Sequence, residues 1–488
     1  MDSNFRKSVI KSTAITSLGQ IVSIALLFVS SILLARFLPE KELGTFFLLM
    51  TVWMFLQMLG NLGLEATLVK YISSTHGDNK NQIFITLLTL RTFSLIIVSV
   101  LYYLISRLFV IINSDINQYT FFILAIFTLD SLRNYFNAEL QGAKKFKDLI
   151  LVQLTQASSK IILYVIGAIG GYLGITYLLY AEIIGIIFSF LVQQYLTSIA
   201  FRLTFKIKYD EIKEILRFSL PLYLNNLLSV FSNRTNSIII ATFSNVINVA
   251  YYEVGRKIPD GLSRLTNSLT MVYYPYVSEL LAEGKTENAK TLLERYIASI
   301  SLFGAPIILS VFFLRDEIML SFFSSKYLSS SLALFSFTLS FYFGLVSTIL
   351  GYTFVAANKP VLSFKINLFR TILSLTMSII SIPILGFMGA VYSILFSSII
   401  GWTISFWSLR KISIKLSSIK YLFPLFLSLP FMLVSLVNIF LKHKIIASIS
   451  LVALYLILEV LLFKDFKNLL KYLFDKTKIR INSHFNKG

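Results

Sequence analysis

The chain reads as apolar stretches of about twenty residues, separated by short polar turns such as "LPEKELG", "HGDNKN", "NSDIN", "QGAKKFKD" and "AANKP". A helix needs about 20 apolar residues to cross the hydrocarbon of a bilayer. Strands of a membrane barrel would alternate apolar and polar residues, and these stretches do not. The pattern predicts an all-α, polytopic membrane protein of about fourteen spans. They fall near 12–35, 43–66, 82–105, 118–140, 149–170, 174–198, 216–243, 246–280, 291–314, 330–356, 361–384, 387–409, 421–440 and 445–463. The breakers Gly, Pro, Asn and Asp gather in the turns between them.

Composition agrees: 56% of the 488 residues are hydrophobic and 14% are charged, against about 25% charged in soluble domains. The net charge of +20 would point to nucleic acid in a soluble protein. Here its distribution gives another reading. With the N-terminus in the cytoplasm, Lys and Arg in inside segments outnumber those outside by roughly four to one, the bias that sets orientation. Both termini are then cytoplasmic, the number of spans is even, and the basic excess is topology, with attraction to anionic membrane lipids and no nucleic acid. The start "MDSNFRKSVIKSTAITS" is basic and then polar, and its apolar stretch runs to Leu34 without a small-residue cleavage site, so a retained first helix is expected. The tail "KDFKNLLKYLFDKTKIRI" is basic and amphipathic and is expected to lie on the cytoplasmic leaflet.

Two stretches repeat. "LQGAKKFKD" leads, after one helix, to "GGYLGITYLLYAEIIG", and "VAANKPVLSFK" leads, after one helix, to "LGFMGAVYSILFSSIIG", about 215 residues on. Six spans separate the copies, so both enter from the same side, as parallel repeats related by an axis along the membrane normal. The expected domains are an N-lobe over 1–205 (spans 1–6), a C-lobe over 206–415 (spans 7–12), spans 13–14 over 416–463 and the tail over 464–488. Repeats of this kind place a substrate site between them.

Polar groups within the spans point to that site, because a charge at mid-bilayer persists only against a partner or a wet cavity. In span 8, Glu253, Arg256, Lys257, Asp260, Arg264 and Asn267 share a stripe about 100° wide at 3.6 residues per turn. Glu253 to Lys257, Arg256 to Asp260, and Asp260 to Arg264 are i, i+4 pairs. Pro259 is expected to bend this helix. Span 4 sets Asp130, Arg133, Asn134 and Asn137 on one face, where Asp130 and Arg133 could neutralise each other. Lys160 shares a side of span 5 with Tyr164, Gln57 and Asn61 share one in span 2, and Asn225 and Asn233 one in span 7. Arg234 lies across from Asn225, while Arg91 and Arg370 read as lone cations near mid-span. Structural glue between helices competes with substrate contact at each of these positions. Summed over the spans, cations exceed the carboxylates Asp130, Glu139, Glu182, Glu253 and Asp260, with Glu65 near a span end, and the surplus implies an anionic guest.

Other chemistry is scarce. There is no cysteine, and His76, His443 and His484 are scattered through loops and tail, so no thiol chemistry, metal or cofactor is expected. Glu40 and Glu42 form the one carboxylate pair resembling an active-site motif, and "PEKE" at a turn reads better as a solvated helix start. The longest outside loop, near 315–329, is too short for a catalytic domain.

Three stretches, "SLGQIVSIALLFVSSILLARFLPEKELGTFFLL", "LQGAKKFKD" and "MVYYPYVSELLAEGKTENAKTLLERY", resemble the prokaryotic polysaccharide transporter family, which includes flippases of the Wzx kind. That family shares a superfamily with multidrug and toxin extruders. The resemblance implies two six-helix lobes around a central cavity lined by spans 1, 2, 7 and 8, and spans 13–14 as a groove for a lipid tail. It also implies alternating access and flipping of polyprenyl-pyrophosphate-linked oligosaccharide to the outer leaflet. On that reading, Arg256, Lys257, Arg264, Lys160, Arg133, Arg370 and Arg91 meet phosphate, and Gln57, Asn61, Asn225, Asn233 and Asn267 meet sugar. Glu253, Asp260, Asp130, Glu139 and Glu65 balance charge or couple transport. The expected partners are the lipid-linked oligosaccharide, membrane lipids and glycosyltransferases or a polymerase of one pathway, around a monomer in the cytoplasmic membrane. The alternatives are a drug extruder on the same fold and a membrane glycosyltransferase or polymerase.

Overall fold

The structure is a computed structural model that describes residues 3–74, 79–108, 117–197, 219, 223, 227, 230–231, 234–412, 423–434 and 444–462. Among them the secondary structure is helical throughout. The helices are α1 (Ser3–Phe37), α2 (Glu40–Asn61), α3 (Leu64–Ser74), α4 (Asn79–Leu108), α5 (Thr120–Gly142), α6 (Phe146–Gly170), α7 (Ile175–Leu196), α8 (Val246–Ala282), α9 (Thr286–Ile318), α10 (Ser331–Ala356), α11 (Pro360–Leu385), α12 (Phe387–Ser408), α13 (Phe423–Val434) and α14 (Lys444–Leu462). A further helical stretch covers 234–243. Eight helices among the described residues are long and apolar enough to cross a membrane, with shorter apolar helices at 21–37 and 447–458. The chain is a multi-pass membrane protein.

The expected span over 43–66 is broken. Leu62 and Gly63 both take positive φ, at 49° and 75°, so α2 stops and α3 resumes in a new direction to Ser74. Gly63 suits this turn because it carries no Cβ penalty in the left-handed region, and a Cβ there would strike the Ser219 carbonyl. The interrupted ladder finds side-chain substitutes. The Ser94 hydroxyl donates to the Gly60 carbonyl at 3.0 Å, and the Thr67 hydroxyl donates to Gly63 at 2.9 Å. Side-chain repair of this kind is required in lipid, where no water can serve the freed groups.

The repeat is visible in the backbone. Lys144 (φ 60°) and Asn358 (φ 59°) end α5 and α10 in the left-handed conformation. In each turn the third amide after the helix reaches back to a carbonyl: Lys145 to Leu140 at 2.9 Å, and Lys359 to Phe354 at 2.8 Å. Gly171 and Gly386, at φ 71° and 58°, then close α6 and α11 in the same way. These left-handed ends satisfy carbonyls that a helix otherwise leaves open.

Two compact units result: Met1–Lys257 with Ser374–Ser393, and Ile258–Leu373 with Ile394–Gly488. In the first, one core gathers Leu64, Leu68, Phe84, Leu87 and Tyr135, and another Leu49, Leu56, Ile126, Phe127 and Leu179. In the second, Tyr273, Leu293, Val346, Leu350 and Phe354 form the main core. There α13 and α14 pack on α9, where Phe431 and Tyr455 meet edge to face at 5.5 Å beside Leu309 and Phe313. The stretch expected as an outside loop near 315–329 is wound instead, into a π turn at Met319–Phe323 and a 3-10 turn at Ser325–Ser330. Glu40 and Glu42 occupy the first turn of α2 after Pro39, where carboxylates favour the positive end of the helix dipole. The helix α8 runs 37 residues without interruption through Pro259, about 55 Å at 1.5 Å per residue and longer than a bilayer core.

Candidate functional site

Three cations of the first unit are each paired with a carboxylate of their own. Arg133 grips Asp130 through Nε (2.9 Å) and Nη2 (2.7 Å). The second Asp130 oxygen accepts from Asn134 at 3.0 Å and from Gln57 at 3.2 Å. Gln57 in turn accepts from the Ser131 hydroxyl at 2.9 Å, and Gln193 of α7 donates to the Arg133 carbonyl and to Asn137. The face predicted on span 4 therefore exists, and it is a closed network joining α2, α5 and α7. Glu139 is buried on the same helix, 1% exposed.

Lys160 of α6 lies 3.0 Å from the Glu182 carboxylate of α7, which also accepts from the Tyr164 hydroxyl at 2.7 Å. Gly185 makes the room, because a Cβ there would sit 2.6 Å from Lys160 Cγ. Glu182 is the partner that residue spacing along one helix could not reveal.

Arg91 is not a lone cation. Its Nη2 meets Glu65 at 3.1 Å, because the break at Leu62 and Gly63 swings α3 toward α4. Arg91 is fully buried, and its Nε and Nη1 find no hydrogen-bond partner among the described residues. The Asn61 carbonyl oxygen accepts the Glu65 amide at the start of α3, at 3.5 Å.

The fourth cluster is different. Glu253 of α8 is 2% exposed and accepts a 2.7 Å hydrogen bond from Ser237. Arg234 approaches its carboxylate to 3.5 Å and Arg256 to 3.9 Å. Arg234, which broke the pattern of its own helix, is explained by facing Glu253 rather than the side of Asn225. The expected i, i+4 partner Lys257 acts on the Glu253 charge and is also seated over the Phe47 ring of α2, its Nζ 4.3 Å from the centroid. Arg256 also lies 5.6 Å from the Tyr252 ring. Aromatic faces attract cations without cancelling their charge. Within the first unit, Arg234, Arg256 and Lys257 thus lie together beside the Glu253 carboxylate. A guanidinium fork beside an ammonium, with aromatic walls, is suited to an oxyanion.

Asp260 follows one turn on and is half-buried. Arg264 and Asn267 lie on α8, but their side chains are outside the description, and Asn225 and Asn233 fall outside the described residues. Arg370 lies on α11 in the second unit.

Residues 33–332 match the family described as polysaccharide biosynthesis protein. The chain belongs to that family. No curated protein matches the sequence. Among solved structures, the chain resembles "Lipid II flippase MurJ, inward closed conformation" with TM-score 0.73 and 17% identity, covering 92% of this chain and 99% of that one. It resembles an inward-facing multidrug resistance MATE family transporter of the MOP superfamily with TM-score 0.61 and 18% identity, over 80% and 94% of the two chains. A MOP superfamily transporter from Pyrococcus furiosus follows with TM-score 0.56 and 17% identity, over 83% and 96%. The family member therefore has the fold of MOP-superfamily transporters.

Proposed function

We propose that this protein is a flippase. It moves a polyprenyl-phosphate- or pyrophosphate-linked oligosaccharide from the cytoplasmic to the outer leaflet, exposing its site to each side of the membrane in turn. The observation that carries the reading is the cluster of Arg234, Arg256 and Lys257 beside Glu253 on a membrane helix. Guanidinium forks and an ammonium gathered in this way are natural binders of a phosphate headgroup. Family membership supports the sugar, and the MurJ-like fold supports the lipid carrier. An extruder of cationic drugs would require the opposite charge at this cluster.

The test is a reconstituted flipping assay with a labelled lipid-linked oligosaccharide. Arg256→Ala combined with Lys257→Ala should abolish flipping while leaving folded yield near wild type. Undiminished flipping by that variant would refute the assignment, and robust sugar transfer to a lipid-linked acceptor by purified protein would establish an enzyme in its place.

A further inference from the structure

The helix α11 carries a cation of another kind. Arg370 stands ten residues into the helix, about 15 Å from its start at 1.5 Å per residue, near the middle of a hydrocarbon core about 30 Å thick. It makes no hydrogen bond or ion pair with any described residue, and no charged side chain among them acts on it. The surrounding sequence explains why: α10, α12 and α13 contain no Asp or Glu at all. Arg91, Arg133, Lys160, Arg234 and Arg256 all have carboxylate partners.

The structure nevertheless accommodates the side chain. Its aliphatic stem lies along α12 at Gly401, where a Cβ would come within 2.9 Å of Arg370 Cδ and 3.3 Å of Cγ. At 3.6 residues per turn, Ser363 and Asn367 share the Arg370 side of α11 within about 60°. The exposed apolar side chains Val361, Phe364, Ile372 and Ile379 fall roughly 120–200° away by the same count. Asn367 is exposed, and Arg370 and Ser363 are half-buried. A fork of N–H donors, an amide and a hydroxyl thus line one strip of the helix, and its other side faces outward as an apolar surface.

We infer that Arg370, with Asn367 and Ser363, is a second oxyanion site that binds the phosphate ester of a lipid. It lies in the second unit, whereas the Glu253 cluster belongs to the first. A guanidinium has donors and no acceptor, and it takes an oxyanion in bidentate fashion, with the amide and hydroxyl able to donate beside it. The apolar outer surface of the same helix leaves the alkyl chain of the ligand in lipid. Two lipids carry this chemistry: the polyprenyl phosphate of the carrier and an anionic phospholipid. The choice of the carrier rests on the flippase reading, whereas the oxyanion site does not.

The experiment uses the full chain in uncharged detergent. Binding of polyprenyl phosphate, phosphatidylglycerol, phosphatidylcholine and inorganic phosphate is measured by ligand-induced thermal shift. Wild type should bind polyprenyl phosphate, Arg370→Leu should weaken binding at least tenfold, and Arg370→Lys should fall between. Gly401→Ala, which displaces the stem without touching the charge, should weaken it severalfold. Ligand-free Arg370→Leu should melt no lower than wild type, since it removes an unpaired cation from the span. Equal affinity in wild type and Arg370→Leu would overturn the site and leave the flippase reading standing. A lower melting point with binding retained would also overturn it, by making Arg370 structural. Arg370-dependent binding of phosphatidylglycerol without polyprenyl phosphate would support the site and count against the flippase.

Discussion

Lys160 and Glu182 stand eleven residues either side of Gly171 and meet at 3.0 Å. Gly171 ends α6 in the left-handed conformation, so α6 and α7 form a hairpin and pair residues reflected about it. The prediction is that this partnership is structural. Glu182→Gln alone should strand a buried ammonium and cost about 3–5 kcal/mol. Lys160→Met added to Glu182→Gln should restore most of that stability and keep flipping near wild type. Thermal unfolding and the flipping assay read the two parts separately. Loss of flipping in a well-folded double variant would return Lys160 to the substrate site.

Asp130 accepts four hydrogen bonds, from Arg133, Gln57 and Asn134. The prediction is that a carboxylate so engaged holds helices together rather than exchanging ions. Asp130→Asn should destabilise the protein by about 3–5 kcal/mol. A double-mutant cycle with Gln57→Leu should show coupling of roughly 0.5–3 kcal/mol, the range for residues in one network. Chemical unfolding in mixed micelles measures both. Additive effects would show that the network does not act as a unit.

At Glu253 the balance runs the other way, because the carboxylate restrains a positive cluster. Ser237→Ala removes a hydrogen bond to a charged group and should cost about 1.5–3 kcal/mol. Glu253→Gln should lower the melting point of the ligand-free protein and enlarge the stabilisation produced by polyprenyl phosphate, since binding to the folded state alone adds stability in proportion to affinity. A ligand-induced shift smaller than in wild type would contradict an oxyanion role for Arg234, Arg256 and Lys257.

Gly44 of α2 lies directly against the Val246 carbonyl at the start of α8, where a Cβ could not fit. The Phe47–Lys257 contact belongs to the same pair of helices. Gly44→Val should force them apart and free Lys257 from the ring. The chain has no cysteine, so Phe47→Cys gives a clean reporter. Its labelling by a water-soluble maleimide should rise severalfold in the Gly44→Val background. Unchanged labelling would show that Gly44→Val does not separate α2 from α8.

Much of this protein was legible in its order of residues. Apolar runs set the helices because lipid offers a backbone no hydrogen bonds and each span must satisfy its own. The stripe on span 4 is a real face, since helical spacing alone aligns it. The repeat near 215 residues reappears as paired left-handed turns at Lys144 and Asn358. Even the ion pairs carry a signal that spacing within one helix misses. Lys160 and Glu182 reflect about Gly171, and Arg91 and Glu65 reflect about the "HGDN" turn. Arg234 and Glu253 do so about Ser244, and Arg370 meets Gly401 across Gly386. Antiparallel neighbours joined by a short turn bring equidistant residues to one depth.

Tertiary structure alone decided the rest. The contacts of Gln57 with Asp130 and of Phe47 with Lys257 join helices that no single turn connects, so no reflection predicts them. The break at Leu62 and Gly63 depends on Ser94 and Ser219 to accept it. The sequence by itself determined that this is a helical membrane protein with more cations than carboxylates in its spans. Which cation meets which carboxylate was decided by helix packing, because charge cancels only at contact distance, and contact between distant segments exists only in the folded chain.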